Sequence, residues 1–365
     1  MRAAQAGLHG IGVATPAGTL DQEAAAAFAT PRCCADERQQ AFLQRIYRHS
    51  GVQRRASVLM RPHDDTTALE AFYPPPTAAD DLGPTTAVRL RHYAAAAGPL
   101  AAEACRAAFA DAATDPTQIT HLVTVSCTGL ISPGLDAELI ERLGLSPDIG
   151  RINLGFMGCH GALNGLRTAS ALAQSGPDAR ILLCCVELCT LHFRYGWDLQ
   201  KIVANALFAD GAAAVVVGPA GDRSESYRLV DTTSRLALDS SDAMIWRIGD
   251  HGFEMTLSRE VPRLIRGAIG AWLHDWLARH ALSVPDVAHW AIHPGGPKVI
   301  QAVTESLALP AAAGRTSASV LAEHGNMSSP TVLFILQRLR AQAANGPCVV
   351  LGFGPGLALE GALLH

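Results

Sequence analysis

The 365-residue chain is 49% hydrophobic and 17% charged, with nine cysteines and a net charge of −4. That composition suits a large buried core and excludes a disordered chain, and the slight negative charge offers nucleic acid nothing to bind. No apolar run reaches the ~18 residues of a membrane span, residues 1–10 lack the apolar segment of a secretory signal, and an odd cysteine count without scaffold spacing fits reduced thiols in a cytoplasm.

In chain order, residues 8–15 read as a strand ending at Pro16, and residues 20–29 and 36–50 as helices. Arg45, Arg48, Arg54 and Arg55 lie in or just after the second helix. They are either a solvated basic face or a clamp for the phosphates of a nucleotide-bearing substrate. Residues 61–84, rich in Pro, Asp and Thr, read as a long loop. Residues 86–112 form an Ala-rich helix, and 119–126 a buried strand ending at Cys127-Thr128-Gly129.

A short strand at 152–154 then runs into Gly155-Phe156-Met157-Gly158-Cys159-His160-Gly161, followed by a helix over 162–174. Glycines around a cysteine between strand and helix make a nucleophile elbow. The helix N-terminus would favour the thiolate there. A buried structural cysteine is the alternative. Residues 179–186 are a strand buried on both faces. Cys185, Cys189 and His192 follow, but without the paired C-x₂-C spacing of a metal site, so no metal is expected.

Residues 206–217 are a turn feeding another buried strand, and the polar stretch 218–225 is the boundary between two halves, 1–222 and 223–365. The second half reads as a strand at 227–232, a loop at 239–252 holding Trp246, and a helix at 261–280. A strand at 288–293 ends in His293-Pro294-Gly295-Gly296-Pro297 and leads into a helix at 298–307. Asn326 sits in a loop at 324–329, before a helix at 330–343 and strands at 349–353 and 357–364. Strands alternating with helices in both halves indicate a layered α/β fold.

Cys159, His293 and Asn326 thus stand at glycine-rich turns. A cysteine that takes an acyl group needs an imidazole partner. A step that builds an enolate or oxyanion needs two donors on one oxygen, which an imidazole and a carboxamide supply.

Five ordered segments carry a resemblance. They are the elbow 155–167, Ala206-Leu207-Phe208-Ala209-Asp210-Gly211, Ile292-His293-Pro294-Gly295-Gly296-Pro297, Glu323-His324-Gly325-Asn326-Met327-Ser328-Ser329 and Gly352-Phe353-Gly354-Pro355-Gly356. With them the chain resembles the type III polyketide synthases, the chalcone/stilbene synthase-like family, bacterial type. The resemblance implies a five-layer αβαβα thiolase fold of two pseudo-duplicated halves, working as a homodimer. It implies a Cys159–His293–Asn326 triad, malonyl-CoA and acyl-CoA as substrates and no cofactor. Gatekeeper positions fall on Phe208 and on Met255, where the family has phenylalanine. Cavity positions fall on Cys127, Thr128, Cys189, His192, Trp246 and Ser328, with Gly354 and Pro355; Arg48, Arg54 and Arg55 would bind CoA. The size of Trp246 and His192 suggests a narrowed cavity with few extensions, or a chain redirected into another tunnel. Alternatives are an initiating ketoacyl synthase working with an acyl carrier protein, a degradative thiolase, or an inactive scaffold subunit. His160 has no assigned role and is expected to point into packing.

Overall fold

The computed structural model describes residues 5–63, 65–78, 80–221, 227–342 and 345–365. The first half contributes strands β1 (Ala6–Ala14), β2 (Thr19–Asp21), β3 (Arg54–Ala56), β4 (His121–Ser126), β5 (Gly150–Gly155), β6 (Ile181–Leu188) and β7 (Asp210–Pro219). Its helices are α1 (Gln22–Cys33), α2 (Glu37–Arg48), α3 (Thr67–Phe72), α4 (Thr86–Ala112), α5 (Leu135–Leu143), α6 (Gly161–Ala173) and α7 (Leu199–Leu207). The second half adds β8 (Tyr227–Leu236), β9 (Met244–Gly249), β10 (Gly252–Leu257), β11 (His289–Ile292), β12 (Cys348–Gly354) and β13 (Ala358–Leu364). Its helices are α8 (Val261–Ala278), α9 (Pro297–Ser306), α10 (Arg315–His324) and α11 (Thr331–Ala341). The sequence boundary at 222/223 lies outside the described residues.

Nine strands form one mixed sheet in the order β11-β12-β13-β8-β1-β7-β6-β4-β5. Each half repeats one scheme. Its first strand pairs antiparallel with its last, the last pairs antiparallel with the one before it, and a parallel strand follows. β1 and β8 pair antiparallel and join the halves.

The layers follow from which faces are apolar. α4 lies on the outer face of β1, β6 and β7. α8 and α9 cover the other outer face, where Trp272, Leu273 and Trp276 pack with Val349, Leu351 and Leu363. Between the halves lie α6 and α11, in contact with strands of both. Their Leu163, Leu166, Leu333 and Ile335 are buried in one cluster with Val215, Val217 and Val350. Each such side chain contributes roughly 1.5–3 kcal/mol, so the central helices are held from both sides. The result is the five-layer αβαβα thiolase fold.

Two stretches differ from the sequence reading. Residues 239–252 are not all loop: Met244–Gly249 is β9, which pairs along its length with its antiparallel partner β10 in a hairpin, with Trp246 opposite Met255. The long loop at 61–84 contains α3, whose Leu69 is buried.

Candidate active site

β5 delivers the chain into a tight turn. Phe156 (φ 59°) and Gly158 (φ 73°) both take left-handed conformations. A Cβ on Gly158 would stand 2.5 Å from Pro355 Cδ, so only glycine fits. Phe156 keeps its conformation, at a cost on the order of 1–2 kcal/mol, by packing 5.6 Å from the Phe253 ring. A short 3₁₀ turn, Gly158–His160, then sets Cys159 at the start of α6.

Cys159 is buried. Burial pushes its thiol up to about 11, opposed by hydrogen bonds from Ser328 and Asn326 and reinforced by the charge of Glu187. The sulfur therefore faces both the hydroxyl and the carboxamide of the 326–328 loop.

That loop is the counterpart turn of the second half. Gly325 (φ 72°) and Ser328 (φ 58°) are its left-handed residues, and α11 begins at Thr331. Asn326 bridges to Phe208 in parallel, donating its backbone N–H to Leu207 O (2.8 Å) and accepting that of Ala209 (2.9 Å). Its side-chain Oδ1 accepts the Ser328 N–H at 2.8 Å, which leaves the amide N–H groups as donors.

His293 follows β11, fully buried, with its backbone N–H on Leu351 O at 2.8 Å. Neither ring nitrogen has a hydrogen-bond partner among the described residues. Burial, with repulsion from His160, pushes the imidazole down to about 3. The sequence reading expected a thiolate at the helix N-terminus. Desolvation instead opposes charge on both groups.

Sequence reasoning passed over Glu187, the one charged residue in the apolar strand β6. It is fully buried, and burial raises its carboxyl against several hydrogen bonds. It accepts the Cys127 N–H (2.9 Å), the Thr128 hydroxyl (2.7 Å) and the Ser329 hydroxyl (2.8 Å). One carboxylate thus ties the end of β4 to the Asn326 loop. An isolated acid among aliphatic residues was the available signal.

A cavity of about 80 Å³ opens beside Gly158, walled by Cys127, Thr128, Cys189, His192, Trp246 and Ser328, with Phe208 and Met255. Trp246 Nε1–H donates to Cys127 O at 2.7 Å. His192 Nδ1 accepts the Phe253 N–H at 2.9 Å, so its Nε2–H donates to Thr128 O at 2.7 Å. The His192 and Phe253 rings stack 4.3 Å apart. The hairpin is thereby pinned across the end of β4, and burial drives His192 down to about 3. Gly354 and Pro355 are not among the lining residues; they pack behind the elbow, against His160 and Gly158.

Two family descriptions span the chain: "Chalcone and stilbene synthases, N-terminal domain" matches residues 1–221 and the C-terminal domain of the same family residues 228–365. The chain belongs to the chalcone and stilbene synthase family. This is the family of type III polyketide synthases. The chain is 31% identical over 364 residues to the alpha-pyrone synthesis polyketide synthase-like Pks18 of Mycobacterium tuberculosis, covering 98% of this chain and 90% of that one. It is 35% identical over 339 residues to the 1,3,6,8-tetrahydroxynaphthalene synthase of Streptomyces peucetius, covering 91% and 86%. The crystal structure of PKS-I from the brown alga Ectocarpus siliculosus superposes with a TM-score of 0.91 at 31% identity, covering 100% of this chain and 99% of that one.

In this type III synthase a second, outer groove of about 640 Å³ runs between α2, α7 and the starts of α8 and α9. It reaches Leu207, next to Phe208, and Gly295-Gly296, just past His293. Of the arginines expected to bind CoA, Arg48 and Arg54 are exposed and do not line it. Arg55 is a structural residue. It is buried, giving its guanidinium to Asn205 O (2.5 Å), Phe208 O (3.1 Å) and Gln22 Oε1 (2.6 Å). The cations on the groove are Arg259 and Lys298, which the sequence reading did not single out. Among the described residues no helix is long and apolar enough to cross a membrane, and no cluster of His, Cys, Asp or Glu could hold a metal ion.

Proposed function

We propose that the chain catalyses iterative decarboxylative condensation of malonyl-CoA onto an acyl group carried by Cys159. One observation carries this reading. Buried Cys159 is acted on by the Asn326 carboxamide, and His293, fully buried as well, leaves both ring nitrogens without a hydrogen-bond partner among the described residues.

His293 takes the thiol proton as Cys159 attacks an acyl-CoA, and returns it to the departing CoA sulfur. Malonyl-CoA then places its thioester oxygen between the His293 N–H and the Asn326 amide N–H. Phe208 supplies an apolar wall, and loss of CO₂ leaves an enolate held by those two donors. The enolate attacks acyl-Cys159, the Cys159 sulfur leaves, and the chain passes back to CoA. No step changes a redox state. The groove carrying Arg259 and Lys298 suits the CoA phosphates.

The cavity, narrowed by Trp246 and His192, favours few extensions and cyclisation to an alkylpyrone, alkylresorcinol or related polyketide. The working unit we propose is a homodimer; exposed Leu130, Ile131 and Met157, near the ends of β4 and β5, suit a second copy.

The test is incubation of the purified protein with malonyl-CoA and a panel of acyl-CoAs, with and without acyl carrier protein, read by mass spectrometry. Carrier-independent pyrones or resorcinols are expected. Products only with carrier protein would point to a ketoacyl synthase, and no turnover to a scaffold.

A further inference from the structure

Arg89, at the start of α4, is fully buried, yet it does not line the cavity. Its Nε–H donates to Pro84 O at 2.8 Å. Its Nη1 donates to the Tyr73 hydroxyl (2.8 Å), to Leu191 O (2.8 Å) and to Phe193 O (2.9 Å). The guanidinium also sits 5.1 Å from the centre of the Tyr73 ring. None of these acceptors is a carboxylate. A buried cation held only by neutral groups is costly, so what it holds in return is the question.

Its acceptors belong to the segments that wall the cavity. Tyr73, which follows α3, lines the cavity and donates its own hydroxyl to Thr190 O at 2.9 Å. Leu191 and Phe193 flank His192, and Cys189, Thr190, His192 and Phe193 all line the cavity. With Tyr73 as relay, one guanidinium takes up the carbonyls of Thr190, Leu191 and Phe193, where the chain has left β6 in the 3₁₀ turn Cys189–His192. The hairpin meets the same group. A Cβ on Gly252, the first residue of β10, would stand 3.0 Å from Arg89 Cδ and Nε. The next residue, Phe253, gives its N–H to His192 Nδ1.

We propose that Arg89 is a positioning residue that sets the width of the cavity at His192, and through it the size of acyl chain the site accepts. The segment around Tyr73, the 189–193 wall and the hairpin are far apart in sequence, and one rigid fork registers them on each other. His192 is then held from two sides. Phe253 and Thr128 fix its ring, and Arg89 fixes the carbonyls on either side of it. Without the guanidinium those carbonyls lose their donor. The turn then relaxes toward the space left by Arg89, away from the cavity. The inference rests on the proposed reaction for its product readout only; the width of the cavity does not depend on that reaction.

The experiment compares the wild type with Arg89→Met, Arg89→Lys and Tyr73→Phe on the full chain. Lysine keeps the charge but puts one nitrogen in place of the fork, and Tyr73→Phe keeps the ring while removing the relay to Thr190. Two size ratios are read. One is the rate of Cys159 alkylation by N-benzyl iodoacetamide over that by iodoacetamide, mapped by peptide mass spectrometry. The other is kcat/KM for hexanoyl-CoA over acetyl-CoA as starter. A general loss of activity or stability lowers rates but leaves such ratios in place. Both ratios are expected to rise about tenfold in Arg89→Met, the scale on which an apolar pocket senses a methylene, and by less in the other two. Wild-type ratios in any variant that folds would overturn the proposal. So would failure of all three to fold, since the role would then be structural alone. A raised alkylation ratio in a protein that makes no polyketide would sink the proposed reaction and leave this inference standing. Unchanged alkylation ratios beside normal polyketide formation would do the reverse.

Discussion

Each half leads into its central helix through a turn with two positive-φ residues, spaced differently, and puts a different side chain on it. Before α6, Phe156 and Gly158 take φ values of 59° and 73°; before α11, Ser328 and Gly325 take 58° and 72°. The first turn presents a thiol and the second a carboxamide, and the central layer brings them together. The surroundings diverge too. The turn before α6 rests on Pro355 of the other half, whereas Gly325 rests on Ala209 and on Leu207 O, beside Phe208. A duplicated fold thus separates the group that carries the acyl chain from the group that binds the enolate oxygen.

Breaking each turn separately should give the largest effects. Gly158→Ala places a Cβ against Pro355 in a left-handed conformation. It should slow Cys159 acylation about 10²-fold, the scale of an ångström of misplacement. Gly325→Ala, with its Cβ 2.9 Å from Ala209 Cβ, should slow malonyl-CoA decarboxylation on the same ~10²-fold scale and leave acylation near normal. Equal losses in both assays for both variants would erase the distinction between the turns.

The halves also handle buried carboxylates differently. Asp210, at the start of β7, accepts from neutral donors, among them the Val58 N–H (2.9 Å) and the Thr190 N–H and hydroxyl (2.8 and 2.6 Å). Burial raises its carboxyl to about 6. A raised carboxyl stabilises the fold when protonated, so its contribution of about 3 kcal/mol is present below about pH 4 and lost as pH rises through about 6. Asp210→Asn should flatten stability against pH across that window, seen in urea midpoints; an unchanged slope would contradict it. On the corresponding strand of the second half, β13, Glu360 is paired with Arg167 of α6. Arg167→Met strands that carboxylate and should cost about 2 kcal/mol, less than a fully buried pair because Arg167 is partly exposed. An unchanged unfolding midpoint would show that the pair contributes nothing.

The sequence was most legible where periodicity and glycine turns carry the structure. The Ala-rich helix α4 keeps its expected bounds, and β6, apolar but for Glu187, is buried along its length. The hairpin β9–β10 was missed because Arg247 and Asp250 dilute its alternation; pairing and the Trp246 and His192 hydrogen bonds hold it. Helix α3 hid among prolines, and only tertiary burial of Leu69 distinguishes it. Arg55 read as a surface cation because nothing local shows that Asn205 and Phe208 would offer it carbonyls. His160 was expected in packing and is packed, but its hydrogen-bonded link through Asn164 to Glu360 spans both halves and leaves no local trace beyond the i, i+4 spacing to Asn164.

The most direct measurement is Asn326→Ala assayed twice, by intact mass for acyl-Cys159 after incubation with an acyl-CoA and by CO₂ release from malonyl-CoA. Acyl-Cys159 should still form, while decarboxylation falls about 10²–10³-fold. Loss of both activities, or of neither, would contradict the division of labour between the two turns.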